Sequence, residues 1–418
     1  MRCIQGEHMK IGLLATACVI GIVAAMPGRS ADAPAGDTPA LQLQWDARAR
    51  HEQVSDDGFA RDARADTLRL RIGLLANLGA GWSGLLEGAG VASAGGNYNS
   101  GANRHTEYPP ITDPSGSEFN QAWLAWKGDA FGATIGRQRI QLDNQRWIGN
   151  SGWRQFEQTF DAVTTQWQPV TGWTLRYDWL DRVHRVAGPD ALNALARARS
   201  LDTHLFNTSY VQGGQQWTAY LYLHDDRDVA SASTATAGFR WTSTPPASAE
   251  GFGWVLEAAQ QSDYAANPQH YTRSYWLLEP AYTLVGITGA LGWEHLGGNG
   301  RNAVQTPLAT LHAFNGWDDQ FLVTPLDGLN DRYATLNGKF GTSGWRGKLA
   351  WIVSWHDFQS SHASIRYGSE CDASLALPFA KNFVALVKAA SYRADGFGRD
   401  DTKLWLQLEW RGLQTLLH

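Results

Sequence analysis

Basic side chains stand two positions apart at several points of the sequence. Arg48 and Arg50 form one such pair, and Arg69 and Arg71 form another. Arginine accounts for 28 of the 35 basic residues. Its planar guanidinium group binds a carboxylate through two parallel hydrogen bonds. A wall lined by such pairs would therefore attract carboxylates and other anions.

Acidic residues follow the same alternation. Asp178 lies two positions after Arg176, and Glu294 and Glu409 occupy equivalent positions in other segments. Two interpretations stay open. Opposed charges would give a charged solute several weak binding sites along a path, or they would neutralise one another and hold the wall rigid.

Residues with the spacing of an enzyme site are not found. His204, His224 and His295 are scattered and form no His-x-x-x-His pair. The sequence has no Gly-x-Ser-x-Gly motif for a nucleophilic serine. We expect no catalytic residue, no metal and no cofactor, although calcium bound by loop carboxylates stays open. The enzymatic alternative is an outer-membrane lipid hydrolase, since one lipid-facing serine and histidine would be enough.

The charged pairs belong to segments with a period of two. In residues 67–77, Leu68, Leu70 and Ile72 share one face, whereas Arg69 and Arg71 share the other. This alternation is typical of a β-strand with one apolar and one polar face. Similar patterns predict 18 strands along the chain.

The links between these strands are alternately short and long. Gly79-Ala80-Gly81 and Gly213-Gly214 are short links, whereas residues 91–117 and 297–330 are long ones. Short turns at one rim and long loops at the other are typical of outer-membrane barrels. The sequence therefore predicts an all-β, closed antiparallel transmembrane barrel of about 18 strands, with short periplasmic turns and long extracellular loops. A soluble sandwich or propeller is the alternative.

Composition agrees with export to an envelope membrane. The chain has 418 residues, 20 of them Trp, and a net charge of −5. Its mean hydropathy of −0.34 excludes a bundle of membrane helices, and the charge balance argues against a nucleic-acid partner. Tryptophan is favoured where a barrel crosses the headgroup region.

The N-terminus predicts a signal peptide over residues 1–33. The start of translation is at Met1 or Met9, and an apolar run precedes the small-residue site Ala31-Asp32-Ala33. A retained anchor helix is the alternative. Cleavage leaves Cys371 as the only cysteine, so we expect no intramolecular disulfide.

The barrel is expected over residues 34–411, followed by a C-terminal extension over residues 412–418. Trp410 would then be the aromatic residue that the barrel assembly machinery reads. The residues expected to line the pore and bind solute are Arg48, Arg50, Arg69, Arg71, Arg137, Arg139, Arg146, Arg154, Arg176, Asp178, Glu294, Arg346, Lys348, Lys388, Lys403 and Glu409.

Two of these positions are ambiguous. Strict alternation places Arg137 and Arg139 on the lipid side. Either a bulge at Gly136 reverses the alternation, or both residues stand above the membrane. The following loop carries Arg146 and Arg154 and is expected either to fold inward and narrow the pore or to remain an ordinary surface loop.

Several blocks of sequence resemble the alginate export family of outer-membrane porins. They are Phe131–Ile140 with Asp143–Gly149, Trp153–Gln155 and Glu157–Asp161; Gln305–His312; Tyr367–Glu370; and Asp400–Glu409. The resemblance covers about residues 41–410. It implies an 18-stranded porin, and a basic constriction that passes an anionic polyuronate.

The sequence thus predicts a channel in the bacterial outer membrane, with membrane lipid around it. Its solutes would be anions, small or polymeric, including a carboxylate-bearing polysaccharide such as alginate. Arg69, Arg71 and Arg176 are expected to set the anion preference. The alternative is an adhesin or binding barrel that uses its long loops, especially residues 297–330.

Overall fold

The computed structural model describes residues 40–243, 250–341 and 343–417. The expected signal peptide lies outside this part of the chain. Almost all of the secondary structure is β-strand, with one short helix at Ala194–Arg197 (α1) and 3₁₀ turns at Ala230–Ala232 and Leu311–Ala313. Within these residues no helix is long and apolar enough to cross a bilayer.

Eighteen strands follow one another along the chain. They are β1 (Ala40–Asp56), β2 (Ala63–Gly79), β3 (Trp82–Ala94), β4 (Gly116–Lys127), β5 (Phe131–Gln138), β6 (Thr159–Trp167), β7 (Trp173–His184), β8 (Ala198–Gln212), β9 (Gln215–His224), β10 (Thr234–Ser243), β11 (Gly251–Asp263), β12 (Thr272–Leu284), β13 (Ile287–Leu296), β14 (Leu329–Lys339), β15 (Ala350–Gln359), β16 (Arg366–Ala380), β17 (Phe383–Ala394) and β18 (Asp401–Leu417).

These strands form one closed antiparallel sheet. Each strand pairs with the next along the chain, and β1 also pairs with β18. Closure leaves no sheet edge in the hydrocarbon, where an unpaired backbone group costs several kcal/mol. The predicted barrel and its strand number are confirmed.

The two faces of each strand meet different surroundings. On β2, Leu68 is 54% exposed on the outside, while its neighbour Arg69 is fully buried on the inside. The outer face is apolar because it contacts lipid, and the inner face is polar because it faces the lumen. Aromatic side chains gather at the periplasmic end, where Trp45 lies 5.3 Å from Trp410.

The last strand is longer than the sequence predicted. Residues 412–417 continue β18, and Leu417 pairs with Leu41 of β1. Gly412 allows this continuation because the Trp45 indole occupies the space that a Cβ atom would need. These residues therefore complete the sheet instead of forming an extension beyond it.

The connection from β14 to β15 also differs from the prediction. Arg346 and Lys348 were expected on an inward strand face, yet they lie in the turn before β15. Three glycines interrupt the strand pattern there, and the Gly347 N–H donates to the Ser343 carbonyl at 2.9 Å. Both cations consequently stand exposed at the periplasmic rim.

Candidate functional site

Two extracellular loops fold into the barrel and meet there. They are the β5–β6 loop (residues 139–158) and the β13–β14 loop (residues 297–328). Ile148 and Leu308 form a β-bridge between them. The Gly149 N–H donates to the Leu308 carbonyl at 2.9 Å. The pair of loops narrows the lumen and is called the constriction below. Of the two alternatives considered for the first loop, the structure has the inward fold.

The basic side chains of β1 and β2 hold the β5–β6 loop against the wall. Arg48 and Arg50 donate to the Trp153 carbonyl at 2.9 and 2.6 Å. Arg71 donates to the Gln155 carbonyl at 3.0 Å. These arginines face the interior as predicted by the alternation, and their guanidinium groups serve as loop anchors.

The same arginines are paired with protein carboxylates. Arg48 lies 2.7 Å from Glu409, and Arg71 lies 3.2 Å from Glu157. Arg154 bridges Glu52 and Asp319, each at 3.1 Å. The interior charge therefore forms a connected network of both signs.

Glu157 is a junction of this network. Arg139 donates to one of its oxygens, and the Asn150 amide donates to the other at 2.8 Å. Burial alone would raise the pKa of Glu157, but Arg139 and Arg71 outweigh it and lower the pKa to about 2. The residue is a carboxylate at every physiological pH.

The opposite side of the lumen is acidic and aromatic. Arg146 of the β5–β6 loop lies 2.8 Å from Glu294, and Trp147 donates to Glu257 at 2.9 Å. In the β13–β14 loop, the Asp318 N–H donates to Glu370 at 2.8 Å. The β5–β6 loop thus spans the lumen from a basic wall to an acidic one, and the β13–β14 loop contacts an acidic residue of β16.

Lys388 of β17 is enclosed by tryptophan rings from three elements. Its Nζ atom lies 3.8 Å from the ring centroid of Trp317, 4.2 Å from that of Trp153 and 5.4 Å from that of Trp405. A desolvated cation over an aromatic face contributes about 2 kcal/mol. This cage joins both inward loops to the wall.

His312 completes the cage. Its Nδ1 atom lies 2.7 Å from Asp319, and its Nε2 atom lies 2.7 Å from the Lys388 ammonium. Because the ammonium can only donate, Nε2 accepts and Nδ1–H donates to the carboxylate. Burial, assisted by Lys388, lowers the pKa of His312 to about 3 despite the neighbouring Asp319. The imidazole is therefore neutral.

Arg137 and Arg139 are separated by the barrel wall. Arg137 remains on the outside, as strict alternation predicts, and its Nε atom lies 2.8 Å from Asp161. Arg137 therefore does not line the pore, contrary to the prediction. Arg139 follows the end of β5, so the chain turns inward and its side chain reaches Glu87 at 3.0 Å and Glu157. The strand register shows no bulge at Gly136.

The remaining predicted residues face the lumen with different exposure. Lys388, Lys403, Asp178 and Glu294 are buried. Arg176 keeps a quarter of its side chain exposed, beside Asp178 at 2.9 Å.

Three arginines near the constriction stay accessible. The exposed fractions of the Arg139, Arg176 and Arg411 side chains are 21%, 25% and 30%. Arg69 is fully buried, yet its Nε and Nη1 atoms have no hydrogen-bond partner among the described residues. The three accessible guanidinium groups are the donors that a passing anion can reach.

Several site residues were not predicted from the sequence. Asp113 of the β3–β4 loop accepts from the Gln155 N–H at 2.8 Å and lies 3.4 Å from Arg50. Glu52, His312 and Asp319 were missed as well. Only the alternation of Glu52 with Arg48 and Arg50 offered a signal, since loop residues carry no periodicity.

The alternative functions find less support. Phe314, Trp317, Asp318 and Asp319 belong to the loop that was considered for adhesion, and they are turned into the lumen. Lipid-facing His51 and His184 each bond an aspartate, but no serine hydroxyl of the described residues bonds either histidine. Within the residues that the structure describes, no group of three or more His, Cys, Asp or Glu side chains is placed to hold a metal ion.

Comparison with solved structures shows the same fold in outer-membrane proteins. OpdO of Pseudomonas aeruginosa matches with a TM-score of 0.68 at 13% identity, covering 90% of this chain and 98% of that chain. OpdK of Pseudomonas aeruginosa, solved with vanillate, matches with a TM-score of 0.67 at 12% identity, covering 90% and 99%. OccAB2 of Acinetobacter baumannii matches with a TM-score of 0.69 at 12% identity, covering 91% and 98%. Among curated proteins no sequence match was found.

The closed 18-stranded barrel with loops folded into its lumen defines a β-barrel porin of the bacterial outer membrane. The chain belongs to the alginate export family, whose match spans residues 40–294. The family resemblance seen in the sequence is thereby confirmed.

Proposed function

We propose that this porin passes anionic solutes through the constriction, and that a carboxylate-bearing polysaccharide such as alginate is among them. The observation that carries the proposal is the row of arginines on β1 and β2, continued by Arg139 and Arg411 at its accessible end. Local charge at a narrow section sets ion preference, because more distant charge is screened beyond about 8 Å.

The paired state of these arginines is compatible with passage. A carboxylate of the solute can replace a protein carboxylate at an arginine with similar hydrogen-bond geometry. Arg69 has two buried nitrogen atoms, Nε and Nη1, without a hydrogen-bond partner among the described residues, so an anion beside it would satisfy donors that are otherwise unmet. Repeated exchange of this kind would allow a solute to bind weakly and leave.

The vanillate found with OpdK also carries a carboxylate, which supports this class of solute for the fold. The family supports the polymeric form. Small anions and a uronate chain would use the same side of the lumen, since the carboxylates of a uronate chain recur along its length.

Current blockades in a planar bilayer would test the solute class. Oligouronates and neutral maltooligosaccharides of equal length would be added to single channels. We expect oligouronates to block at concentrations at least about tenfold lower, because one hydrogen bond to a charged group contributes about 1.5–3 kcal/mol. Equal blockade by the neutral sugar would contradict the proposal.

A further inference from the structure

Lysine side chains are concentrated at the periplasmic rim. Four of the six lysines in the described residues stand there, namely Lys127, Lys339, Lys348 and Lys381. Arg346 lies beside Lys348 in the β14–β15 turn. None of these five cations has an ion-pair partner among the described residues.

The β14–β15 turn (residues 340–341 and 343–349) is ordered by its own backbone. The Phe340 N–H donates to the Leu349 carbonyl at 3.2 Å, and the Leu349 N–H donates to the Trp345 carbonyl at 3.1 Å. This arrangement leaves Trp345 61% exposed, with the Arg346 guanidinium 5.6 Å from its ring centroid. The turn therefore presents an aromatic side chain and two cations together.

The apolar part of this turn continues the lipid-facing surface. Phe340 is 58% exposed and lies 6.2 Å from Trp351, which is on the outer face of β15. Leu336, which precedes Phe340 by four residues on the same outer face, is 54% exposed to lipid. Aromatic residues at such a boundary lie at the headgroup level, so Arg346 and Lys348 stand at the level of lipid phosphates.

The neighbouring β16–β17 turn adds the same chemistry. β15 and β16 are hydrogen-bonded neighbours, with Ala350 opposite Ala376, so the two turns are about 10 Å apart, or two strand spacings. Lys381 is exposed in this second turn, and Phe379 before it is 52% exposed. The two turns together offer three cations above a continuous apolar surface.

We propose that these two turns bind an anionic phospholipid, phosphatidylglycerol, in the periplasmic leaflet. Arg346, Lys348 and Lys381 hold the phosphate, while the acyl chains lie against Leu336 and Phe340. Charge complementarity selects an anion, and continuity with the lipid-facing surface selects a lipid over an acidic protein. The inference does not depend on which solute the channel passes.

The test is lipid retention by the full-length folded protein, measured by native mass spectrometry. The protein would be released from vesicles that contain equal parts of phosphatidylglycerol and phosphatidylcholine. The test variant is Arg346→Gln/Lys348→Gln. The control variant is Lys127→Gln/Lys339→Gln, which removes two cations of the same rim that alternation places on the lumen side.

We expect the wild type and the control variant to retain phosphatidylglycerol in preference to phosphatidylcholine. In the test variant this preference should fall about twenty-five-fold, since each Lys or Arg near a lipid surface contributes a factor of about five. Equal loss in both variants, no loss in either, or no preference in the wild type would overturn the proposal. Heat-modifiable migration on gels would verify that each variant is folded.

Discussion

The ammonium group of Lys388 lies 3.8 Å from the ring centroid of Trp317, so a barrel strand and an inward loop are joined directly. Trp317 belongs to the β13–β14 loop, and Trp153 of the β5–β6 loop contacts the same ammonium at 4.2 Å. One buried cation thus holds both halves of the constriction. The width of the pore should depend on this contact.

Replacing Trp317 with alanine should loosen the constriction. The variant removes one face of the cage and about 2 kcal/mol of cation–π stabilisation. We expect noisier single-channel current and higher mean conductance. Trp345→Ala, which removes an exposed tryptophan from a periplasmic turn, should leave both unchanged. Identical noise in Trp317→Ala and wild type would show that the cage does not hold the loops.

The His312 pKa predicts how the loops respond to acid. The imidazole has a pKa of about 3 in the folded protein and about 6.5 when unfolded. The unfolded or detached state therefore binds more protons between these values, and the packed state loses stability as the pH falls from about 6.5 towards 3.

Burial raises the pKa of Asp318. Protonation of this carboxyl group therefore stabilises the packed state as the pH falls, which opposes the effect of His312. His312→Gln isolates the histidine because it cannot be protonated. We expect current noise to rise with acid more steeply in the wild type than in His312→Gln. Parallel pH profiles for the two proteins would be inconsistent with a neutral, buried His312.

Glu157→Gln should change selectivity and stability together. The substitution removes the carboxylate that faces Arg71 and Arg139, so Glu157 no longer neutralises the positive charge of these two arginines. We expect a shift of the reversal potential towards anions and a lower melting temperature, since breaking a buried ion pair costs about 3–5 kcal/mol. Asp161→Asn, which removes the carboxylate beside Arg137 on the outside, is the matched control and should not shift the reversal potential.

The length of β18 predicts a role for the C-terminus. Deleting residues 412–418 would leave residues 41–45 of β1 without their partners on β18. Unpaired backbone groups in a bilayer cost several kcal/mol each. We expect less folded protein in the outer membrane, measured by heat-modifiable migration. Undiminished insertion would instead support an assembly signal that ends at Trp410.

Local pattern was enough to predict the barrel. The alternation of Leu68 with Arg69 identifies an inner and an outer face, because a residue in a strand has only two directions to point. The same rule predicted the inward positions of Arg48 and Arg50. It was wrong for Arg346 and Lys348, where alternation continued by chance into a glycine-rich turn.

The contents of the lumen could be predicted only in part. The position of Asp319 beside His312 and Arg154 depends on contacts between residues far apart in the sequence. No local periodicity records such contacts. The β5–β6 loop was recognised as a candidate by its arginines, but the β13–β14 loop has few cations and resembled an external binding surface.

The reversal potential under a KCl gradient tests anion passage most directly. Arg139 and Arg137 are two residues apart but lie on opposite sides of the wall, so their variants remove equal charge from the lumen and from the outside. We predict that the wild type prefers anions, that Arg139→Gln shifts the reversal potential towards cations, and that Arg137→Gln leaves it unchanged. Cation preference in the wild type, or equal shifts in both variants, would contradict an arginine-controlled constriction.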